Sequence, residues 1–215
     1  MFFCGGVLLD NSTVLTAAHC TDGAERFHII RAADSESTPR KVLSATRHEE
    51  HPHWNNFTLE ADVAKIFLEE ELEVNDSSLG EDLGGRERCY LQFSGGIDLA
   101  AERPPTGEVA CMVGWGKACD SFSCDVAPRL ERVCAPVIAD SDAEAFHGPR
   151  DWQGSVCVDT AGERGTCAGD SGGPLFDAAG KLLAVASFGS VFGCASGAPS
   201  CFLSIPHHRD WISNG

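Results

Sequence analysis

The chain has 215 residues, of which 43% are hydrophobic and 22% are charged. This composition supplies a folded core for one large domain or two small ones and is not that of a disordered chain. Sixteen Lys and Arg residues against 32 Asp and Glu residues give a formal net charge of −16. Such a charge argues against nucleic acid or an anionic membrane surface as a partner, because both attract positive charge. No apolar run in the sequence reaches the ~18 residues that a membrane-spanning helix needs.

Short strand-like segments, rich in apolar and β-branched residues and bounded by Gly, Asp or Ser, follow one another along the chain. They occupy residues 6–19, with a turn at 10–12, and residues 28–33, 61–68, 108–116 and 181–189. Helix signals are few. A capping box from Ser141 to Glu144 predicts a short helix ended by Gly148 and Pro149, and a second helix is predicted over residues 207–213. This pattern predicts an all-β sandwich or a pair of barrels, with the glycine-rich region 84–96 as the candidate domain junction.

Eleven cysteines are unusual for a cytosolic protein, whose thiols stay reduced. Two interpretations stay open at this point: a disulfide framework in an oxidising compartment, or a metal site. The sequence has no Cys-x-x-Cys pattern, which argues against a zinc finger or ribbon. Asn-x-Ser/Thr triplets at Asn11, Asn56 and Asn75 are candidate glycosylation sites and fit a secreted chain. The first residues are not those of a signal peptide, so we expect the printed chain to lack its beginning.

Three short motifs carry residues suited to nucleophilic catalysis. His19 lies beside a cysteine at a strand end, Asp62 opens an apolar strand where burial is expected, and Ser171 lies among glycines. Each motif alone has an ordinary explanation: a surface or core histidine, a cap before a strand, a tight turn. A serine nucleophile needs a base, and the base needs an orienting acid. The chain order His, Asp, Ser is one of those in which unrelated folds carry such a triad.

Six motifs together resemble the trypsin and chymotrypsin family of serine peptidases over essentially the whole chain. They are Cys4-Gly5-Gly6, Thr16-Ala-Ala-His-Cys20, Asp62-Val-Ala64, Gly114-Trp-Gly116, Gly169-Asp-Ser-Gly-Gly-Pro-Leu175 and Ser187-Phe188-Gly189. The stretch 155–175, with 187–194 after it, is most similar to the arthropod chymotrypsin-like branch. The resemblance implies an all-β fold of two packed antiparallel six-stranded barrels of the chymotrypsin type, the first without its first strand, and a short C-terminal helix. Residues 1–90 would form the N-terminal barrel with His19 and Asp62, and residues 91–215 the C-terminal barrel with Ser171 and the specificity pocket.

The resemblance also implies a secreted serine endopeptidase. Ser171 would attack the peptide carbonyl while His19 moves the proton and Asp62 holds the imidazole. The N–H groups of Gly169 and Ser171 would form the oxyanion hole. Ser187 would hydrogen-bond near Asp62, and the edge Ser187-Phe188-Gly189 would pair with the substrate backbone as an added strand.

The specificity pocket implied by the resemblance has uncharged walls. Six residues before the serine, where a carboxylate would select Lys or Arg, stands Gly165, followed by Thr166. Gly189 and Ser200 are the expected side walls. A buried Lys or Arg would lack a counter-ion there. We therefore expect an aromatic or large aliphatic side chain before the cut, as in chymotrypsin-like or elastase-like enzymes, and not trypsin-like specificity.

Five disulfides follow from the resemblance and from where its strands would lie, each with a Cα separation of roughly 4.4–6.8 Å. The pairs are Cys4–Cys20, Cys167–Cys194, Cys157–Cys201, Cys111–Cys134 and Cys119–Cys124. Cys89 has no partner among them. In chymotrypsins a cysteine near this position binds the propeptide, so its partner is expected outside the printed sequence.

Activation is expected to involve Asp170. Family members are zymogens that gain activity when cleavage frees an Ile or Val terminus, whose ammonium inserts beside the acid preceding the serine. By resemblance, the printed chain begins downstream of that terminus. Asp170 would then be a buried carboxylate without its partner, and we expect the chain as printed to be inactive or slow.

Two other classes of function are weighed against the peptidase. One is a non-catalytic protease homologue acting as a binding module, or an inactive truncated product. The other is a metal protein that uses His48, His51 and His53 with the cysteines, but these histidines precede Trp54 in a loop expected to be exposed. We expect no metal and no cofactor. The expected partners are protein or peptide substrates and protein protease inhibitors, without nucleic acid or membrane, for a monomer that acts outside the cell.

Overall fold

The computed structural model describes residues 3–30, 42–72, 97–117, 119, 125–127, 130–161, 165–190, 193–194 and 196–214. These residues form mainly β structure with two α-helices. The strands are β1 (Val7–Leu8), β2 (Thr13–Thr16), β3 (Phe27–Ile30), β4 (Val42–Ala45), β5 (Arg47–Glu50), β6 (Ala64–Phe67), β7 (Val109–Gly114), β8 (Glu131–Pro136), β9 (Ser155–Val158), β10 (Pro174–Phe176), β11 (Leu182–Phe188) and β12 (Ser200–Ser204). The helices are α1 (Asp140–His147) and α2 (Ile205–Ser213).

The first six strands form two antiparallel sheets. One sheet has the order β1-β2-β6-β5, and β3 pairs with β4 in the other. β2, with the sequence Thr-Val-Leu-Thr, is buried at every position. Its Leu15 lies opposite Val7 on one side and Lys65 on the other. A strand of this composition is favoured in the middle of a sheet because its β-branched side chains pack on both neighbours.

The last six strands form one antiparallel sheet that closes on itself. Its order is β8-β7-β10-β11-β12-β9, and an isolated bridge between Val137 and Val158 joins the two outer strands. The Ile138 N–H donates to the Cys157 carbonyl at 3.0 Å at this junction. Closure leaves no free sheet edge there, which is how a barrel avoids unpaired backbone groups.

A shared apolar cluster holds the two halves together. Val7 and Leu15 come from the first sheet, and Val63 lies directly before β6. They pack with residues of the six-stranded sheet and of α2, namely Phe176, Leu182, Val185, Leu203, Ile205 and Ile212. The fold is all-β and antiparallel with two curled sheets, consistent with the chymotrypsin-type pair of barrels that was predicted.

The helices lie where they were predicted, but their starts differ. α1 has Ala139 as its N-cap and no side-chain cap, so the predicted capping box from Ser141 to Glu144 is wrong. The reason is that the N-cap lies two residues earlier, at Ala139 instead of Ser141, with the Asp142 N–H already bonded to the Ala139 carbonyl at 3.0 Å. Gly148, at φ 81°, ends α1. α2 begins at Ile205, two residues before the predicted start.

Four disulfides are present among the described residues, at pairs expected from the resemblance. They are Cys4–Cys20, Cys111–Cys134, Cys157–Cys201 and Cys167–Cys194, with Cα separations of 6.4, 4.0, 4.1 and 5.0 Å respectively. Two of these separations fall below the expected range because the cysteines face each other directly across antiparallel strands, β7 with β8 and β9 with β12.

Some predictions fall outside the described residues. Cys119 is disulfide-bonded, but Cys124 is not described, so that pair stays a prediction. Cys89, Asn75 and the junction at 84–96 are not described either, and the boundary between residues 90 and 91 stays a prediction. Within the described part of the chain, neither helix combines the length and the apolar character needed to cross a membrane.

Candidate active site

A buried carboxylate holds the imidazole that follows β2. His19 lies in a 3₁₀ turn, Ala18–Cys20, and its Nδ1 is 2.8 Å from Asp62 Oδ2. The His19 backbone N–H donates to Asp62 Oδ1 at 2.9 Å. Asp62 is 0% exposed, and the Ser187 hydroxyl also donates to its Oδ2 at 2.6 Å. The carboxylate is therefore fixed from two sides and orients the ring.

The backbone before Asp62 adopts a conformation that L-residues avoid. Leu59 and Ala61 have φ values of 55° and 51°, and the Val63 N–H donates to the Ala61 carbonyl at 2.8 Å across Asp62. Positive φ at non-glycine residues persists only where the surroundings over-determine it, and such positions cluster at functional sites. This tight turn directs the Asp62 side chain toward His19.

Ser171 lies in a glycine-rich turn that docks against β2. Gly172 has φ 76°, and a Cβ on it would lie 2.2 Å from Thr16 Oγ1, so only glycine fits there. The Gly5 N–H donates to the Ser171 carbonyl at 2.7 Å, and that carbonyl lies 3.9 Å from the Cys20 sulfur. The serine turn is thus held beside the end of β2, which leads into the 3₁₀ turn of His19. Among the hydrogen bonds of the described residues, none joins His19 to Ser171.

The turn also presents backbone amides. Within the described part of the chain, neither the Gly169 nor the Ser171 N–H donates a hydrogen bond to another group. Gly169 has φ 104° and packs so closely on Gly116 that a Cβ would lie 3.2 Å from its Cα. Amides held in this way are positioned to bind an anionic oxygen.

Asp170 is held by the backbone next to these amides. Its carboxylate accepts hydrogen bonds from the Gly116 N–H at 2.8 Å and from the Cys167 N–H at 2.9 Å. Burial raises the pKa of Asp170, and the two hydrogen bonds oppose that shift. A Cβ on Gly114 would lie 2.0 Å from an Asp170 oxygen, so this glycine provides the space that the carboxylate fills.

A cavity of about 380 Å³ opens beside Ser171. Its lining residues include Lys117, Thr166, Ser171, Ala186, Ser187, Phe188, Gly189, Ala198 and Ser200. Ser200 Oγ accepts hydrogen bonds from the Thr166 N–H and the Thr166 hydroxyl, both at 3.1 Å. Gly165 does not line the cavity itself but lies behind Ser200, whose Oγ would be 3.0 Å from an added Cβ. No carboxylate lines the cavity among the described residues.

Two cationic residues at the site were not identified from the sequence. Lys117 lines the cavity beside Ser171. Arg150 donates to the Leu59 carbonyl at 3.3 Å, and its guanidinium lies 4.4 Å from the centroid of the Phe188 ring. Neither residue belongs to a recognisable motif, so only the folded arrangement places them here.

Comparison with known proteins assigns the family. A model of the Trypsin family matches residues 1–212. The chain belongs to the trypsin family. It is 30% identical over 215 residues to brachyurin from Leptuca pugilator, covering 99% of this chain and 87% of that protein. It is 32% identical over 216 residues to serine protease 1 from Drosophila melanogaster, covering 98% of this chain and 74% of that protein.

A solved structure agrees with this assignment. Mouse neuropsin, described as a serine protease expressed in the limbic system of the brain, superimposes with a TM-score of 0.79 at 25% identity. The match covers 98% of this chain and 87% of the neuropsin chain. The protein is therefore a serine-type endopeptidase, a hydrolase that acts on protein or peptide substrates.

Proposed function

We propose that this trypsin-family endopeptidase cleaves peptide bonds through an acyl-enzyme formed on Ser171, with His19 as general base and acid and Asp62 as its orienting group. The observation that carries this proposal is the contact of His19 Nδ1 with the fully buried Asp62 at 2.8 Å. A neutral imidazole that donates from Nδ1 to a carboxylate keeps the lone pair of Nε2 for the serine proton. Because Ser171 lies on the turn docked beside His19, it is the hydroxyl best placed to be activated.

The proposed reaction has two proton transfers by the same imidazole. As Ser171 Oγ bonds to the peptide carbonyl carbon, its proton moves to His19, and the same proton passes to the leaving amine when the C–N bond breaks. Water then attacks the acyl-enzyme ester by the same route in reverse. The Gly169 and Ser171 N–H groups would bind the oxyanion, and one such donor is worth roughly 10²–10³ in kcat.

The cavity beside Ser171 supports a preference for an apolar side chain before the cut. Two of its polar lining residues are hydrogen-bonded to each other, with the Thr166 N–H and hydroxyl both donating to Ser200 Oγ. Lys117 is the one charged residue among its described lining residues. A cationic side chain would lose its hydration there without gaining a carboxylate. The edge from Ser187 to Gly189 would pair with the substrate backbone.

We also propose secretion, since four disulfides among the described residues are typical of oxidising compartments. Asn11 and Asn56 are exposed, as an acceptor for glycosylation must be. A monomer controlled by protein protease inhibitors is the simplest form of such an enzyme.

Turnover of two matched peptide anilides tests the proposal. The substrates differ only in Phe or Arg before the scissile bond, and we expect kcat/KM to favour Phe by at least about tenfold. Ser171→Ala should abolish turnover of both while the folded state is retained in circular dichroism. A preference for Arg would contradict the pocket assignment. Turnover that survives Ser171→Ala would contradict the nucleophile. A folded wild-type chain that binds but never cleaves would favour one of the two inactive alternatives, the non-catalytic homologue or the inactive product.

A further inference from the structure

A second cavity lies beside the first and is lined by histidines. Its volume is about 320 Å³, and it lies between the loop before Asp62 and the start of α2. Four of the chain's eight histidines line it: His51, His53, His207 and His208. Two of them come from a loop of the N-terminal half and two from the C-terminal helix. The fold therefore gathers imidazoles that are about 150 residues apart in the sequence.

The imidazole rings of this cavity pack against one another, and two of them, His207 and His208, have the spacing of rings around one ion. The ring centroids are 5.4 Å apart for His51 and His53, 5.1 Å for His51 and His208, and 4.8 Å for His207 and His208. Two imidazoles that bind one tetrahedral zinc ion through Zn–N bonds of about 2.0–2.1 Å have centroids roughly 5 Å apart. The His207–His208 spacing matches that value, and His51 packs against both His53 and His208, so that all four rings line one cavity. Each pair is edge-to-face rather than stacked.

Gly154 leaves a space that two of the rings face. A Cβ built on Gly154 would lie 3.4 Å from His208 Nε2 and 3.9 Å from His207 Nε2. The same ring nitrogen of both residues thus approaches one point, and that point is empty because residue 154 has no side chain. His51 has a different role, because its Nδ1 accepts the His53 backbone N–H at 3.1 Å. This bond places the proton of the neutral ring on Nε2.

We propose that His53, His207 and His208 bind a divalent transition-metal ion, zinc or copper, in this cavity, with His51 packed against His53 and His208 to position them. Neutral imidazole nitrogen is a ligand for zinc and copper and a poor one for calcium or magnesium.

The charges around the cavity favour a cation. Glu60, Asp151 and Asp210 line it, opposed by Arg150, and the chain carries a net charge of −16. In the structure the ring nitrogens do not yet form a closed cluster. His53 and His207 are exposed side chains, and rotation about their side-chain torsions, which takes picoseconds to nanoseconds at exposed positions, closes the site.

This proposal departs from the expectation of no metal site, which was drawn from His48, His51 and His53 in sequence. His48 instead packs on Phe27, with ring centroids 5.2 Å apart, whereas α2 supplies the histidines that the sequence pattern did not connect to the loop. The proposed site does not depend on peptide hydrolysis, so it is tested separately from the proposed function.

Calorimetric titration with zinc chloride tests the site. The protein is the full chain without a histidine tag and with His19→Ala, so that the imidazole beside Asp62 does not compete for the ion. We expect one zinc ion per chain. His53→Ala and His207→Ala should each weaken binding by roughly tenfold or more, whereas His28→Ala, an exposed histidine on β3, should not change it.

A second variant tests the location without removing a ligand. Gly154→Ala places a methyl group where the His207 and His208 nitrogens meet, and we expect it to weaken zinc binding while the melting temperature stays close to that of the parent. The absence of zinc binding in the His19→Ala chain would overturn the proposal. Binding that is unaffected by His53→Ala, His207→Ala and Gly154→Ala would overturn it as well.

Discussion

Asp62 accepts hydrogen bonds from three donors: the His19 backbone N–H, the His19 ring and the Ser187 hydroxyl. A carboxylate that is 0% exposed has no water to replace a lost donor. Each donor therefore contributes to holding both the charge and the direction of the side chain.

Ser187→Ala tests this dependence. Hydrogen bonds to charged groups contribute about 1.5–3 kcal/mol, and part of that stabilisation fixes Asp62 behind the imidazole. We expect kcat/KM for the Phe substrate to fall roughly tenfold, since about 1.4 kcal/mol corresponds to a factor of ten.

Ser213→Ala, an exposed serine at the end of α2, is the matched control and should leave kcat/KM unchanged. The melting temperature of both variants separates a local effect from a loss of folding. An unchanged kcat/KM for Ser187→Ala would mean that the two bonds from His19 suffice to position Asp62.

At this scale the sequence indicated the proposed catalytic side chains more clearly than the backbone that directs them. His19, Asp62 and Ser171 were proposed because their motifs require particular residue types. The positive φ values of Leu59 and Ala61 leave no such signature, since neither residue is a glycine. These φ values depend on the closure of the loop from Asn55 to Glu60. An isolated antiparallel bridge between Asn55 and Glu60 closes that loop.

Among the elements, β6 and α2 are joined by a buried cation. Lys65 is 1% exposed, its Nζ donates to the Trp211 carbonyl at 2.7 Å, and it lies 4.4 Å from the centroid of the Trp211 ring. A lysine in the middle of an apolar strand is typical of a solvent-facing position. Here α2 covers it, and the lost hydration is only partly replaced.

The substitution Lys65→Met should reveal the cost of burying the Lys65 ammonium through the pH dependence of the free energy of unfolding. Burial lowers the pKa of Lys65, and Glu49 on the neighbouring strand opposes the shift. Between the lowered pKa of the folded state and the ordinary value of about 10.4, the unfolded chain binds more protons than the folded one. The stability that Lys65 contributes is therefore fully present above the ordinary pKa of the unfolded chain. It is lost as the pH falls through the lowered pKa of the folded state.

We therefore expect the difference in the free energy of unfolding, wild type minus Lys65→Met, to rise as the pH increases from 7 toward 10. Urea denaturation at four pH values measures it. Lys181→Met, at an exposed lysine, should give a difference that does not change with pH. A Lys65→Met difference that is flat or falls over this range would contradict the lowered pKa.

The local sequence pattern predicted where strands and helices occur, but it did not predict the residues at which they begin and end. β2, β6, β7 and β11 lie within predicted segments because β-branched and apolar runs bounded by turn residues favour strands. The start of α1 was misplaced because Ser141 and Glu144 have capping side chains, while the helix begins where the chain leaves β8 and its closing bridge. Helix starts follow the path of the chain as well as its local residues.

In the whole molecule, the proposed catalytic residues and Ser187 come from both halves and lie where the halves pack. His19 and Asp62 lie in the first, Ser171 and Ser187 in the second, and the shared apolar cluster fixes their relation. That arrangement could be expected only through the resemblance to a known family, since the distance between residues 62 and 171 is not encoded by any local pattern. The histidine cavity is also formed by residues from both halves. The resemblance to a known family did not predict it.

The net charge of −16 is a property of the whole surface and should affect substrates before they reach the cavity. A field of one sign attracts oppositely charged substrates and speeds their encounter. The attraction acts outside the cavity, so it does not conflict with the proposed exclusion of a cationic side chain from the cavity.

Three peptides test this, each with Phe before the scissile bond and with two Lys, two Glu or two Ser residues far from it. Raising the ionic strength from about 0.01 M to about 1 M shortens the Debye length from roughly 30 Å to roughly 3 Å. We expect kcat/KM to fall several-fold for the Lys peptide, to rise for the Glu peptide and to stay nearly constant for the Ser peptide. Because the three peptides share the residue that enters the cavity, any change in the catalytic step with salt affects them equally and cancels in their ratios. Ratios that do not move with salt would show that the acidic surface has no part in substrate capture.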